Sequence, residues 1–172
     1  AMIWTEGTGV KTWADVREGW PEEKIELFSP GTDSGTYDYF DEVILDGEQI
    51  NKAASLSEDD NVLVQGVSGS ANAIGYFGYA YFLENSDIVK AVPIVNGEGV
   101  AVTPNDTTVQ DGSYEPLSRP LFIYVKNESL QNENVYEFTK YTLEMAAEMA
   151  AEVGYVALPA ESYEAALTTL EG

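Results

Sequence analysis

Between residues 31 and 40 the chain reads Gly-Thr-Asp-Ser-Gly-Thr-Tyr-Asp-Tyr-Phe, a cluster of small hydrogen-bonding residues leading into an aromatic run. Thr32, Ser34 and Thr36 bring hydroxyl donors, and Gly35 lets a guest approach the main chain closely. A helix that starts here leaves its first amides without intrahelical partners, so backbone donors and the positive end of its dipole converge on one point. Such a corner holds an oxyanion without any cationic side chain. The same residues also suit an ordinary N-cap, with Ser34 or Thr36 opening a helix that buries Tyr37, Phe40, Val43 and Ile44. Both readings place the corner after a strand over residues 24–28, stopped by Ser29, Pro30 and Gly31.

Catalysis has little to work with. The chain contains no histidine and no cysteine. Ser34, between Asp33 and Gly35, lacks both the Gly-x-Ser-x-Gly elbow and a base to activate it. No spacing supports a Ser-Lys pair with Lys24 or Lys52. A Walker loop is absent, and neither Asp59-Asp60-Asn61 nor the acidic stretch 106–111 fits a calcium loop. The reading is a protein that is not an enzyme and has no cofactor and no metal site.

The elements that must position the corner alternate. Residues 12–16 read as a capped helical turn ended by Gly19-Trp20-Pro21, and residues 58–65 as a short helix led by carboxylates. Residues 73–81 pass from strand into helix, residues 90–95 and 100–102 read as strands, and the polar stretch 104–112 reads as a surface loop. The near-continuous apolar run 121–125 has the character of a strand buried on both faces. Residues 135–153 carry apolar side chains at helical spacing, with Phe138, Tyr141, Leu143, Met145, Ala146 and Met149 available for a core face. A terminal helix covers residues 162–170. Strands alternating with helices give an α/β fold with a mostly parallel sheet flanked by helices.

Composition narrows the partners. Over 172 residues, 44% are hydrophobic and 12% aromatic, enough for a globular core. Thirty acidic against eight basic side chains give a formal charge of -22. Nucleic acid and anionic membrane surfaces are therefore poor partners. No segment approaches the roughly 20 apolar residues of a membrane span, so no membrane insertion is expected. No basic-then-apolar leader opens the sequence, and for an exported protein the expectation is that a leader was removed or lies outside it.

Residues 28–40, Phe-Ser-Pro-Gly-Thr-Asp-Ser-Gly-Thr-Tyr-Asp-Tyr-Phe, resemble the phosphate loop of the phosphate-binding proteins that feed ABC-type phosphate transporters, a periplasmic solute-binding family. Further matches keep the family's order: Ile3-Trp4, the segment 12–17, Ser57-Glu-Asp-Asp-Asn-Val-Leu-Val-Gln-Gly-Val67, Ala73-Ile-Gly-Tyr-Phe-Gly-Tyr-Ala-Tyr81 and Pro116-Leu-Ser-Arg-Pro-Leu-Phe-Ile-Tyr124. The resemblance implies a fold of two α/β lobes hinged around the ligand. It implies inorganic phosphate as guest, an ABC permease as partner and an extracytoplasmic location, periplasmic or at the cell surface. Ser34, Gly35 and Thr36 match the loop residue by residue, with Thr32 beside them. Asp33, Asn61 and Arg119 are possible supporting residues. Each has a plainer role open to it: Asp33 as a turn former, Asn61 as a helix opener and Arg119 as an ion-pair partner. The arginine that precedes the loop in many relatives is missing from Phe28-Ser29-Pro30-Gly31.

The resemblance also implies a division. Residues 3–115 correspond to the second, ligand-cleft lobe, and residues 116–172 to the hinge return and C-terminal segment of an incomplete first lobe. The N-terminal lobe that would cover residues 121–125 is not in the sequence. A second copy, through dimerisation or strand exchange, is the alternative cover. A truncated or divergent interaction or adhesion module, with the same fold and no ligand, is the competing function.

Overall fold

A computed structural model describes all residues 1–172. The chain divides into two compact units, Ala1–Ala91 and Val92–Gly172.

The first unit is built on a three-stranded parallel sheet in the order β2-β1-β3, formed by β1 (Glu26–Pro30), β2 (Ser55–Ser57) and β3 (Ala73–Gly75). Before it, α1 (Trp13–Val16) is a single turn closed by a capping box: Thr12 Oγ1 accepts from the Asp15 amide, and Asp15 Oδ2 accepts from the Thr12 amide. Bonds donated by the Lys11 amide, the Thr12 hydroxyl and the Thr12 amide hold the Asp15 carboxyl below its usual value. The chain leaves β1 into α2 (Gly35–Phe40), which runs on as a π-helical turn, Asp41–Leu45. Asp46 and Gly47, both at positive φ, end it. From β2 it enters α3 (Asp60–Ser68), and from β3 it enters α4 (Tyr79–Glu84).

The crossover from β1 to β2 moves one way across the sheet, and that from β2 to β3 moves the other way past β1. Right-handed connections then put α2 and α3 on opposite faces. Alternation along β1 agrees. Phe28 faces α3, where its ring lies so close to Gly66 that a methyl group there would overlap it. Ser29 faces the other side, where it meets the hydroxyl of Tyr76, a ring that packs with Trp4 and Phe40. Tyr76 stacks on Phe40 at 3.9 Å between centroids, and Trp4 meets both rings edge-on. Leu63 and Val64 of α3 and Ile25, Leu27 and Leu45 complete a buried core. Tyr37, Val43 and Ile44, expected in that core, are half-buried; Phe40 and Leu45 are the fully covered residues of this helical stretch.

Ser29 and Pro30, expected to stop the strand, remain inside it. Proline is tolerated there because at Pro30 the β3 side of the ladder has already ended, so no neighbour needs the missing N–H.

The second unit departs further from expectation. Residues 90–95 and 100–102 narrow to an antiparallel pair, β4 (Ile94–Val95) with β5 (Ala101–Val102). The stretch expected as a loop contains α5 (Asp106–Gln110), opened by a reciprocal cap between Asn105 and Thr108. Residues 121–125 form no strand. Leu121, Phe122, Ile123 and Tyr124 are exposed, Tyr124 at 91%, because no neighbouring strand offers them a ladder. After a 3-10 turn (Asn127–Gln131) come α6 (Glu133–Glu152) and α7 (Ala160–Glu171), which pack together with Lys140 paired to Glu171 at 3.3 Å. Phe138, Tyr141 and Met149, expected on a core face, are exposed, and the fully buried apolar side chains all belong to the first unit. The second unit has helices with apolar stripes but no closed core of its own.

Candidate functional site

Because the three strands are parallel, their C-terminal ends deliver three loops to one edge of the sheet, each opening a helix. Ligands in open α/β sheets bind outside this edge, where successive connections part in opposite directions. Residues 31–34 join β1 to α2, residues 58–59 join β2 to α3, and residues 76–78 join β3 to α4.

The first of these loops is held by its backbone. The Gly31 amide extends the ladder to Ser57 O at 3.0 Å, and the Ser34 amide turns back to Gly31 O at 3.1 Å. Ser34 is the N-cap of α2: its Oγ accepts from the Thr36 amide at 3.2 Å, and its carbonyl accepts from the Asp38 amide at 3.0 Å. The cap does not consume the hydroxyl proton of Ser34, which remains a donor. Ser34 and Thr36 are half-buried, while Thr32, Asp33 and Gly35 are exposed. Thus Thr32, Ser34, Gly35 and Thr36 are brought together on one turn.

The supporting residues separate. The Asp33 amide donates to Glu58 Oε1 at 3.4 Å, which ties the first loop to the second. Asn61 lies in the first turn of α3, where its amide and its Nδ2 both donate to the cap residue, Asp59 Oδ1, at 2.9 and 3.2 Å. Its side chain is committed to that cap. Arg119 is an exposed residue of the second compact unit. Arg17, the other arginine, lies over the Trp20 ring at 4.8 Å.

Electrostatics at the edge are unusual for an anion site. No lysine or arginine lies on any of the three loops, whereas Asp33, Glu58 and Asp59 do, with Asp60 following at the start of α3. The Asp60 carboxyl accepts from the Gly78 amide; burial pushes it up, Asp59 beside it pushes the same way, and the Gly78 bond opposes both. The segment after β2 therefore reaches both neighbours, through Glu58 to the first loop and through Asp60 to the third. Donation to an anion here falls to hydroxyls, amides and the helix dipole.

Two features escaped sequence reasoning. Ser29 is fully buried, donates to Pro30 O at 2.8 Å and shares a hydrogen bond with the Tyr76 hydroxyl at 2.7 Å. Burial pushes Tyr76 up to about 12, so it stays protonated at neutral pH and supports the floor beneath the loop. Glu58 was legible only as a helix-opening carboxylate, since its contact with residues 31–33 depends on β1 and β2 being neighbours. A separate cavity of about 450 Å³ lies by the entry to β1, lined by Thr5, Thr8, Lys11, Lys24 and Asn51 among others. None of the proposed anion ligands lines it.

The pattern of the PBP superfamily domain matches residues 3–145. The phosphate-binding protein PstS of Staphylococcus haemolyticus is 45% identical over 162 residues, covering 94% of this chain and 50% of that protein. A crystal structure named as a possible phosphate binding protein from Planctomyces limnophilus is 44% identical with a TM-score of 0.83, covering 98% of this chain and 60% of that one. A Clostridium perfringens structure, named for a phosphate ABC transporter substrate-binding protein with bound phosphate, superposes with a TM-score of 0.63 at 26% identity. It covers 87% of this chain and 58% of that one. The chain spans about half the length of the curated relatives it matches.

Proposed function

This chain belongs to the PBP superfamily, and from that membership we propose that it binds inorganic phosphate as part of the extracytoplasmic substrate-binding component of an ABC-type phosphate importer. The observation that carries the reading is the turn 32–36, where Ser34 caps α2 and gathers Thr32, Gly35 and Thr36 at the ligand-binding edge of a parallel sheet. Similarity to proteins named for phosphate binding supports it along nearly the whole chain.

In this reading Ser34, Gly35, Thr36 and Thr32 donate to the phosphate oxygens. Asp33 and Asn61 support the site from outside, Asp33 through the bond of its amide to Glu58 and Asn61 through the cap of α3. Residues 3–115 serve as the second lobe, and residues 116–172 as the hinge return and part of the first. Closure of two lobes on the anion presents a face to the membrane permease, and no chemistry is performed. One lobe supplies only half of the donors that a desolvated phosphate needs, so the isolated chain binds weakly. The exposed run 121–124 and the exposed stripe of α6 are the surfaces that an N-terminal lobe, or a second copy, covers.

The test is calorimetric titration of inorganic phosphate, with sulfate as the control. A measurable phosphate heat that falls about 10- to 100-fold in affinity in Ser34→Ala, the cost of one hydrogen bond to a charged group, is expected. Equal binding by wild type and Ser34→Ala would reject this site. A second reading, an interaction module that keeps the fold without the ligand, draws on the Asp33 and Thr36 amides already having internal acceptors. Silence in the titration by a folded chain would favour it.

A further inference from the structure

We propose that Glu58 is a positioning residue for the turn 31–34, a clamp that sets the shape of the anion loop from the neighbouring strand's end. The inference rests on the phosphate reading for its consequence, although the clamp itself needs no ligand. Two observations meet at this side chain. Its Oε1 accepts the Asp33 amide at 3.4 Å, across from one loop to the next. Its carboxylate also lies against Gly31, where a single added methyl group would overlap Oε1 and Cδ. Gly31 is buried and bonded through its amide to Ser57, the residue just before Glu58. Glycine at 31 and glutamate at 58 are therefore matched: one vacates the space that the other fills.

The arrangement answers a problem posed by the loop's composition. With no cation on residues 31–36, the turn has no side chain that could organise its donors by charge. An acceptor that pins the Asp33 amide fixes the Thr32–Asp33 peptide, one peptide ahead of the cap residue Ser34, and so steadies the approach to α2. Pre-set donors cost less ordering when the anion arrives. The carboxylate has a second consequence, since a negative charge beside the loop opposes an anionic guest. Position and charge thus act in opposite senses, and the neutral variants separate them. Glu58→Gln keeps an acceptor oxygen and loses the charge. Glu58→Ala loses both.

The first measurement is hydrogen exchange of the Asp33 amide in ligand-free protein. Glu58→Ala should speed it about 3- to 10-fold, as loss of one modest hydrogen bond does, and Glu58→Gln should leave it near wild type. Gly31→Ala should speed it as well, because the new methyl group displaces the flexible end of Glu58. The double variant Gly31→Ala/Glu58→Ala should then exchange no faster than either single one, which is the signature of a shared mechanism. Phosphate titration adds the functional arm: Glu58→Ala should bind more weakly than Glu58→Gln, a comparison in which the charge change cancels. Unchanged exchange in Glu58→Ala, or additive effects in the double variant, would overturn the clamp. Absence of phosphate binding in the wild type would count against the phosphate reading, while the exchange arm would still decide the role of Glu58.

Discussion

Asp60 illustrates how the edge of this sheet is held by carboxylates against their own repulsion. It accepts the Gly78 amide at the start of the third loop, yet burial and the neighbouring Asp59 push its carboxyl up from the usual value of 3.8. A carboxyl whose value is raised on folding favours the protonated form in the folded state. Its contribution is therefore fully present below the unfolded value and is lost as the pH rises through the folded one. At neutral pH the charged form is a small liability, because solvent screens a carboxyl at this exposure. Asp60→Asn keeps an acceptor for the Gly78 amide and removes the charge. The variant should resist urea slightly better than wild type at pH 7, and the gap should close as the pH falls toward about 4. A larger gap at pH 4 than at pH 7 would show that the bond to Gly78, and not the charge, dominates.

Among the elements, the difference between the two units is a difference in what surrounds them. Residues 121–125 have the composition of a doubly buried strand, and α6 has the apolar spacing of a core helix, yet both are open here. Leu121, Phe122, Ile123 and Tyr124 together leave a run of apolar surface exposed. Light scattering should show self-association that grows with protein concentration and with salt, which damps the repulsion of like-charged copies. Phe122→Glu with Tyr124→Glu should weaken it by at least about tenfold, since two aromatic side chains lose their burial. A wild-type monomer at high concentration and about 0.3 M salt would contradict this.

These elements also mark what the sequence made legible. The strand into the turn, the cap at Ser34, the helix read over residues 58–65 and the passage from strand to helix read over residues 73–81 follow local rules of alternation and capping, and the structure has them within two or three residues. Most of the failures are non-local. Whether residues 121–125 make a strand depends on a neighbour that local sequence does not encode. The place of Pro30 in β1 depends on where β3 stops. The short α5 was hidden because Asn105 and Thr108, residues typical of loops, act as its reciprocal cap. Within the site, the turn 31–36 was readable, but the reach of Glu58 to Asp33 required the strand order β2-β1-β3.

At the scale of the whole molecule, an excess of 22 negative charges surrounds a turn proposed to gather a further anion. The two are compatible because amides and hydroxyls act over a few ångströms, while the general field is damped beyond about 8 Å at 0.15 M salt. The attraction must then be local to one corner of the first unit. The most direct measurement is a two-dimensional NMR titration of the 15N-labelled chain with inorganic phosphate and, separately, sulfate, at about 0.15 M salt. Phosphate should produce saturable shifts of the Ser34, Gly35 and Thr36 amides, with the rest of the chain nearly still. Shifts that are absent at those three amides, or that spread evenly over the surface with either anion, would contradict it.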